Sequence, residues 1–227
     1  MKILIDAIYI HNSGGKEVLS LIIENIQNDK VVFLLDSRLE IGENEIKKLN
    51  YFVIKASEKN RKIFYKQRMS EFNTIVCLGN VPPPIKIRKR VIIYFHNMLF
   101  LDSKHLGLTI IQQFILKIKK RYIQYLNQNN YEWIVQTELM KKKIIESMDV
   151  NISRINIFPI FRYNKMPVNR KYLDLNFLYV SSHHKHKNLV RLIKAFINAC
   201  QIKNIRLSLN LTIEDQHYHE LKKYIPD

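Results

Sequence analysis

Short apolar runs alternate with stretches whose apolar residues recur every three or four positions. Lys2–Ile5 is a run of strand length, and Val18, Leu21, Ile22 and Ile26 then recur at helical spacing over Glu17–Ile26. Between them, His11–Lys16 reads as a polar loop holding Gly14 and Gly15. The same alternation continues with strands over Val31–Leu35, Tyr51–Ile54, Thr74–Leu78, Val91–Phe95, Trp133–Val135 and Ile155–Phe158. Helices are expected over Arg61–Phe72, His105–Leu126 and Glu138–Met148. The longest is marked by an apolar stripe through Leu106, Ile110, Phe114, Ile118 and Tyr122. Val81-Pro82-Pro83-Pro84 must be a loop, since proline suits neither a helix interior nor a central strand.

Strands of four to six apolar residues separated by helices predict an α/β fold, with a buried, mainly parallel sheet covered on both faces. No repeat of solenoid length occurs. A polar, basic, proline-containing stretch at 161–174 reads as a linker between a first domain at 1–160 and a second at 175–227. The second begins with a strand at Phe177–Val180, a loop at Ser181–Lys187 and a helix at Leu189–Cys200. A strand at Leu207–Leu211 and a helix at Glu214–Tyr224 follow. About fifty residues are too few to close an independent α/β domain at ordinary domain sizes.

Composition narrows the class. Of 227 residues, 47% are hydrophobic and only five are glycine, which excludes global disorder and a loop-rich scaffold. The two cysteines, Cys77 and Cys200, lie far apart in apolar segments and suit reduced, buried thiols and a cytoplasmic setting. MKILIDAIYI reads as a strand and not a secretion signal, and no apolar run reaches spanning length. Lys and Arg number 37 against 20 Asp and Glu, a formal charge of +17. Such a surface attracts nucleic acid, anionic lipid or phosphorylated substrates. The joint richness in Ile, Asn and Lys also fits AT-rich coding, so charge alone does not select a partner. Three basic clusters stand out: Lys86, Arg88, Lys89 and Arg90; Lys117, Lys119, Lys120 and Arg121; and Lys141, Lys142 and Lys143. They carry no nucleic-acid motif, and solvated helix faces explain such runs. A non-enzymatic basic module on anionic membrane or nucleic acid is the alternative they leave open.

Candidate chemistry sits where strands end. The loop HNSGGKE offers close backbone approach and the N–H groups of a helix start to a phosphate or a sugar, but it lacks the dinucleotide fingerprint. His96-Asn97 follows the Val91–Phe95 strand, where open parallel sheets bind ligands, and His96 there can orient or deprotonate a hydroxyl. Thr137-Glu138 opens a helix, and capping explains both residues. In SSHHKHKN, neighbouring His183, His184 and His186 are a poor metal set, whereas Lys187-Asn188 before a helix suits an anion.

The stretch FLYVSSHHKHKNLVRLIKAF resembles the entry to the second domain of glycosyltransferase family four, the retaining GT-B enzymes. The resemblance is carried by Tyr179-Val180, Lys187-Asn188 and Leu192-Ile193-Lys194-Ala195-Phe196. Upstream, Gly14-Gly15, His96, Gln136-Thr137-Glu138 and Asn156-Ile157-Phe158-Pro159 follow the family's order and spacing. The resemblance implies a Rossmann-like first domain and the start of a second. It implies transfer of a sugar from a nucleotide donor to an acceptor hydroxyl with retention, in surface polysaccharide assembly such as O-antigen or capsule. Lys187 and Asn188 would serve the donor diphosphate, and Gly14 and Gly15 would border the cleft for donor and acceptor. His96 would face the reacting sugar as the catalytic candidate, and Asn97, Thr137 and Glu138 would help bind donor or acceptor. The nucleotide sugar is then substrate, no cofactor or metal is needed, and the acceptor is lipid-linked or an oligosaccharide. A peripheral position on an anionic membrane surface is compatible, and nucleic acid is not expected. Ser181 and Ser182 depart from the family's Gly-Arg, and its paired-glutamate segment would fall beyond Asp227. On this resemblance only the opening of the second domain is expected here, which leaves an inactive glycosyltransferase remnant as a further alternative.

Overall fold

A computed structural model describes residues 1–26, 28–42, 46–47, 49–102, 108–160, 176–181, 187–203, 207–213 and 215–225. Its contacts divide the chain into two compact units, Met1–Asp102 with Ile115–Tyr163 and Ser103–Phe114 with Asn164–Asp227.

The first unit is a seven-stranded parallel sheet of β1 (Ile3–Ala7), β2 (Val31–Asp36), β3 (Asn50–Ile54), β4 (Thr74–Cys77), β5 (Arg90–Phe95), β6 (Glu132–Val135) and β7 (Ile155–Ile157). The order across the sheet is β3-β2-β1-β4-β5-β6-β7, so the Rossmann-like α/β expectation holds. β1 lies between β2 and β4, with Ile3 opposite both Val31 and Thr74. All six residues of β2 are buried, which is why its pattern is a continuous apolar run.

The pleat sends alternate side chains to two cores. Leu4, Leu34, Ile75, Ile93 and Val135 share one core with α2 (Glu58–Arg68), α3 (Ile110–Leu126) and α4 (Glu138–Ser147) through Tyr65, Ile123 and Ile144. Ile5, Ala7, Phe33 and Leu35 share the other with α1 (Ser13–Asn25), through Val18, Leu19 and Ile23, and with the β2–β3 connection through Leu39 and Ile46. Connections from β1 and β2 therefore cover one face, and those from β3, β5 and β6 cover the opposite face. The switch in direction falls between β1 and β4, and the crevice it opens at their carboxyl ends is where such sheets bind ligands.

Two sequence expectations change. α1 begins at Ser13, so Gly14 and Gly15 lie in its first turn and not in the preceding loop. The chain enters through extended Asn12 and through Ser13 at φ 51°; glycine's poor helix propensity costs little where the N–H groups have no intrahelical partner. In α3 the buried residues are Ile123 and Leu126, while Ile110, Phe114 and Ile118 of the expected stripe are exposed. Periodicity located the helix, but only its last turns rest on the sheet. Leu106 lies outside the described residues.

In the second unit, β8 (Asn176–Val180) and β9 (Ser208–Thr212) pair in parallel, with α5 (Leu189–Lys203) between them in sequence and α6 (Asp215–Lys222) after them. Leu189, Ile193 and Leu221 form its core, with Tyr179, Ile197 and Leu211 packed against them. No helix among the described residues is long and apolar enough to cross a membrane.

Candidate functional site

The floor of the crevice is a buried charge network. Asp6, on the α2 side of β1, is 1% exposed and accepts from Arg61 Nε at 2.7 Å; Arg61 itself is 2% exposed. The Tyr65 hydroxyl donates to the same Asp6 oxygen at 2.6 Å. The remaining Arg61 donors reach the carbonyls of Pro82 and Val81 at 2.8 and 2.9 Å. Burial opposes the charge on Arg61, but the Asp6 carboxylate outweighs it and holds the guanidinium's pKa well above its ordinary value. Burial, reinforced by Asp6, pushes the Cys77 thiol up to about 12, so Cys77 stays protonated and is a structural residue. The network ties β1, α2 and the proline loop together. Each of its polar groups has a partner, so it positions the residues above it without offering a reactive group.

Above this floor, Gly79 and Asn80 follow β4. A Cβ at Gly79 would sit 2.1 Å from the Ile8 carbonyl oxygen, so only glycine lets the loops after β1 and β4 approach this closely. Asn80 is 6% exposed and held at φ 65°, in the left-handed region that asparagine tolerates. Its Oδ1 accepts from the backbone N–H of His96 at 2.7 Å and of Asn97 at 3.0 Å. These donors fix the orientation of the amide, so Nδ2 faces His96 Nε2 at 3.4 Å. Nε2 is then the acceptor and the neutral ring carries its proton on Nδ1, which has no partner among the described residues. That donor is buried as well as unpaired, so it is shielded from solvent.

Gly15 reaches the same point from α1. A Cβ there would lie 3.6 Å from His96 Nε2 and 2.9 Å from Ile10 Cδ1, whereas a Cβ at Gly14 meets nothing within 4 Å. Gly15→Ala is therefore expected to leave stability within about 0.5 kcal/mol, because the flexible tip of Ile10 can yield and the approach to His96 is an ordinary contact. Gly14→Ala is expected to raise stability by up to about 0.5 kcal/mol through its better helix propensity. Urea unfolding of the two variants checks both.

Burial depresses the His96 pKa below its ordinary 6.5. Because the folded state resists the proton, the unfolded chain binds more protons at mildly acidic pH. Stability is then unaffected above this range and falls as pH drops through 6.5 toward the lowered folded value. His96→Asn is expected to remove that part of the slope, as read from urea midpoints between pH 7.5 and pH 5.

Asn97 reaches the rim of a cavity of about 630 Å³ on the α3 side of the crevice. Tyr9, Glu58, Val81, Phe100, Ile118 and Tyr122 also line it. Glu58 opens α2 behind the Ser57 N-cap and accepts from the Tyr9 hydroxyl on one oxygen and the Tyr122 hydroxyl on the other, both at 2.7 Å. Burial and the Glu58 hydrogen bond raise both phenols, which remain donors.

Other sequence-predicted residues stand elsewhere. The Thr137 hydroxyl accepts from Met140 N–H at 3.2 Å as the N-cap of α4, with Glu138 exposed in the first turn, so capping accounts for both. Lys187 and Asn188 are exposed in the second unit. Asn188 has φ 56°, and its carbonyl accepts from the Arg191 and Leu192 N–H groups at the start of α5. His183, His184 and His186 lie outside the described residues. Among the described residues no group of His, Cys, Asp and Glu is arranged to hold a metal ion. Part of the basic excess is engaged: Lys89 donates to the Met69, Ser70 and Phe72 carbonyls, Arg90 pairs with Glu132, and Lys143 pairs with Asp102.

Sequence reasoning missed Asp6, Glu58, Arg61, Gly79 and Asn80. The Gly79-Asn80 pair carried a usable signal, since it follows a strand just as His96-Asn97 does. No protein-family model and no curated protein matches the chain.

Proposed function

We propose that this chain is a glycosyltransferase of the retaining GT-B type, moving a sugar from a nucleotide donor to an acceptor hydroxyl in surface polysaccharide assembly. The observation that carries the reading is the meeting of Gly15 and His96. These two stretches are 81 positions apart and were singled out separately by resemblance, yet a methyl group at one would touch the imidazole of the other. They meet at the topological switch point, beside the first turn of α1, whose N–H groups favour an anionic or hydroxylated ligand. The neutral imidazole of His96, held through Asn80, and the surrounding rigid loops orient a sugar or acceptor hydroxyl beside it. In the second unit, Lys187 precedes α5 and supplies the point charge for a diphosphate.

Uridine and guanosine diphosphate titrated into wild type and Lys187→Ala test the donor half of the proposal. One nucleotide is expected to bind wild type and to lose about tenfold in the variant, the scale of one charge-assisted hydrogen bond. Equal affinity in both proteins removes Lys187 from the site.

A second reading, as a module resting peripherally on a cytoplasmic membrane surface, draws on α3. Ile115, Ile118 and Tyr125 are exposed there beside Lys117, Lys119 and Arg121. Co-sedimentation with anionic liposomes, set against a nucleic-acid gel shift at physiological salt, tests it. Lipid binding without nucleic-acid binding is expected, and the reverse removes the reading.

A further inference from the structure

The cavity beside Asn97 has a chemistry the resemblance does not specify. Its volume of about 630 Å³ suits a small molecule. Most of its wall is apolar, from Val81, Phe100, Ile118 and Ile123 and the rings of Tyr9 and Tyr122. Its charged acceptor is Glu58, whose side chain is 31% exposed. Glu58 is already met by two phenols and lies 3.4 Å from Arg61, so its charge is partly offset within the protein. Lys119 also lines the cavity. The lining therefore carries one group of each sign, with Glu58 further offset by Arg61, so neither a cation nor an anion meets a net counter-charge there. A neutral ligand loses nothing, because its hydroxyls can donate to Glu58 while its apolar part covers the rings and the branched side chains.

We infer that this cavity binds a neutral amphiphile, a hydroxylated head joined to an apolar body, as an alkyl glycoside is. The inference deepens the glycosyltransferase reading by giving its acceptor an apolar portion seated against α3, and it rests on that reading only for the word acceptor. Binding is measured without a donor, so a failure here is distinguishable from a failure of the nucleotide titration.

The probes are hexyl β-D-glucoside, glucose, hexylammonium and hexyl phosphate, titrated calorimetrically into the whole chain. Wild type is expected to bind the glucoside at least about tenfold more tightly than glucose or either charged amphiphile. Ile118→Trp, which fills the cavity from a half-exposed helix position, is expected to weaken the glucoside by about tenfold or more. Glu58→Gln keeps the shape of the side chain and is expected to weaken it several-fold, with a retained cooperative melting transition as the check on folding. Absence of glucoside binding to wild type, equal binding to both variants, or preference for a charged amphiphile overturns the inference.

Discussion

Arg61→Met is expected to destabilise the first unit by about 3–5 kcal/mol, the scale of breaking one partner out of a buried ion pair. Asp6 would keep the Tyr65 hydroxyl and the Ile8 N–H at 3.1 Å but lose the Arg61 guanidinium. The Val81 and Pro82 carbonyls would lose their donor as well. The pair is not simply a source of stability, because desolvating two charges offsets most of their attraction. What it adds is position: the proline loop cannot shift along β1 without leaving Arg61 unsatisfied. The double variant Asp6→Asn with Arg61→Met is therefore expected to recover part of the loss, since no fully buried charge is left unpaired. Urea unfolding of the single and double variants measures both quantities.

Gly79→Ala is expected to cost about 3 kcal/mol, at the upper end of overpacking effects, because the obstruction is backbone. The Ile8 carbonyl oxygen at 2.1 Å cannot rotate aside as the tip of a side chain can. The loops after β1 and β4 must separate, and Asn80 moves with them. The His96 and Asn97 N–H groups then lose their common acceptor, so ligand binding is expected to fall even where the fold survives. Gly15→Ala gives the contrast, since its nearest obstacle is the Cδ1 of Ile10. Thermal melting of the two variants side by side checks the difference.

The sheet was legible because buried parallel strands need continuous apolar runs, and VVFLLD is one. The start of α1 was not, because Gly14-Gly15 reads as a loop until the chain's path through Asn12 and Ser13 is known. His96 and Gly15 could be placed from sequence by the rule that ligands sit beyond strand ends. Their mutual distance could not, nor could the role of Asn80, which acts sixteen residues away through one side-chain oxygen. Arg61 was least legible of all. It sits in EKNRKIFYKQR, where a basic residue among lysines looks solvated, and its partner Asp6 is fifty-five positions distant. For α3 the period gave the helix but not the face that packs, since facing depends on what lies opposite.

The central claim is that the ligand-facing centre of the first unit is the crevice where Gly15, Asn80 and His96 meet. Amide shift mapping by NMR tests it most directly, with UDP-glucose and GDP-mannose as probes at physiological salt. The account predicts that one of them moves Gly15, Asn80, His96 and Asn97 most strongly, and that His96→Asn abolishes those shifts. Shifts confined to the basic clusters at Lys86–Arg90 and Lys117–Arg121, or no shifts with either probe, would contradict it.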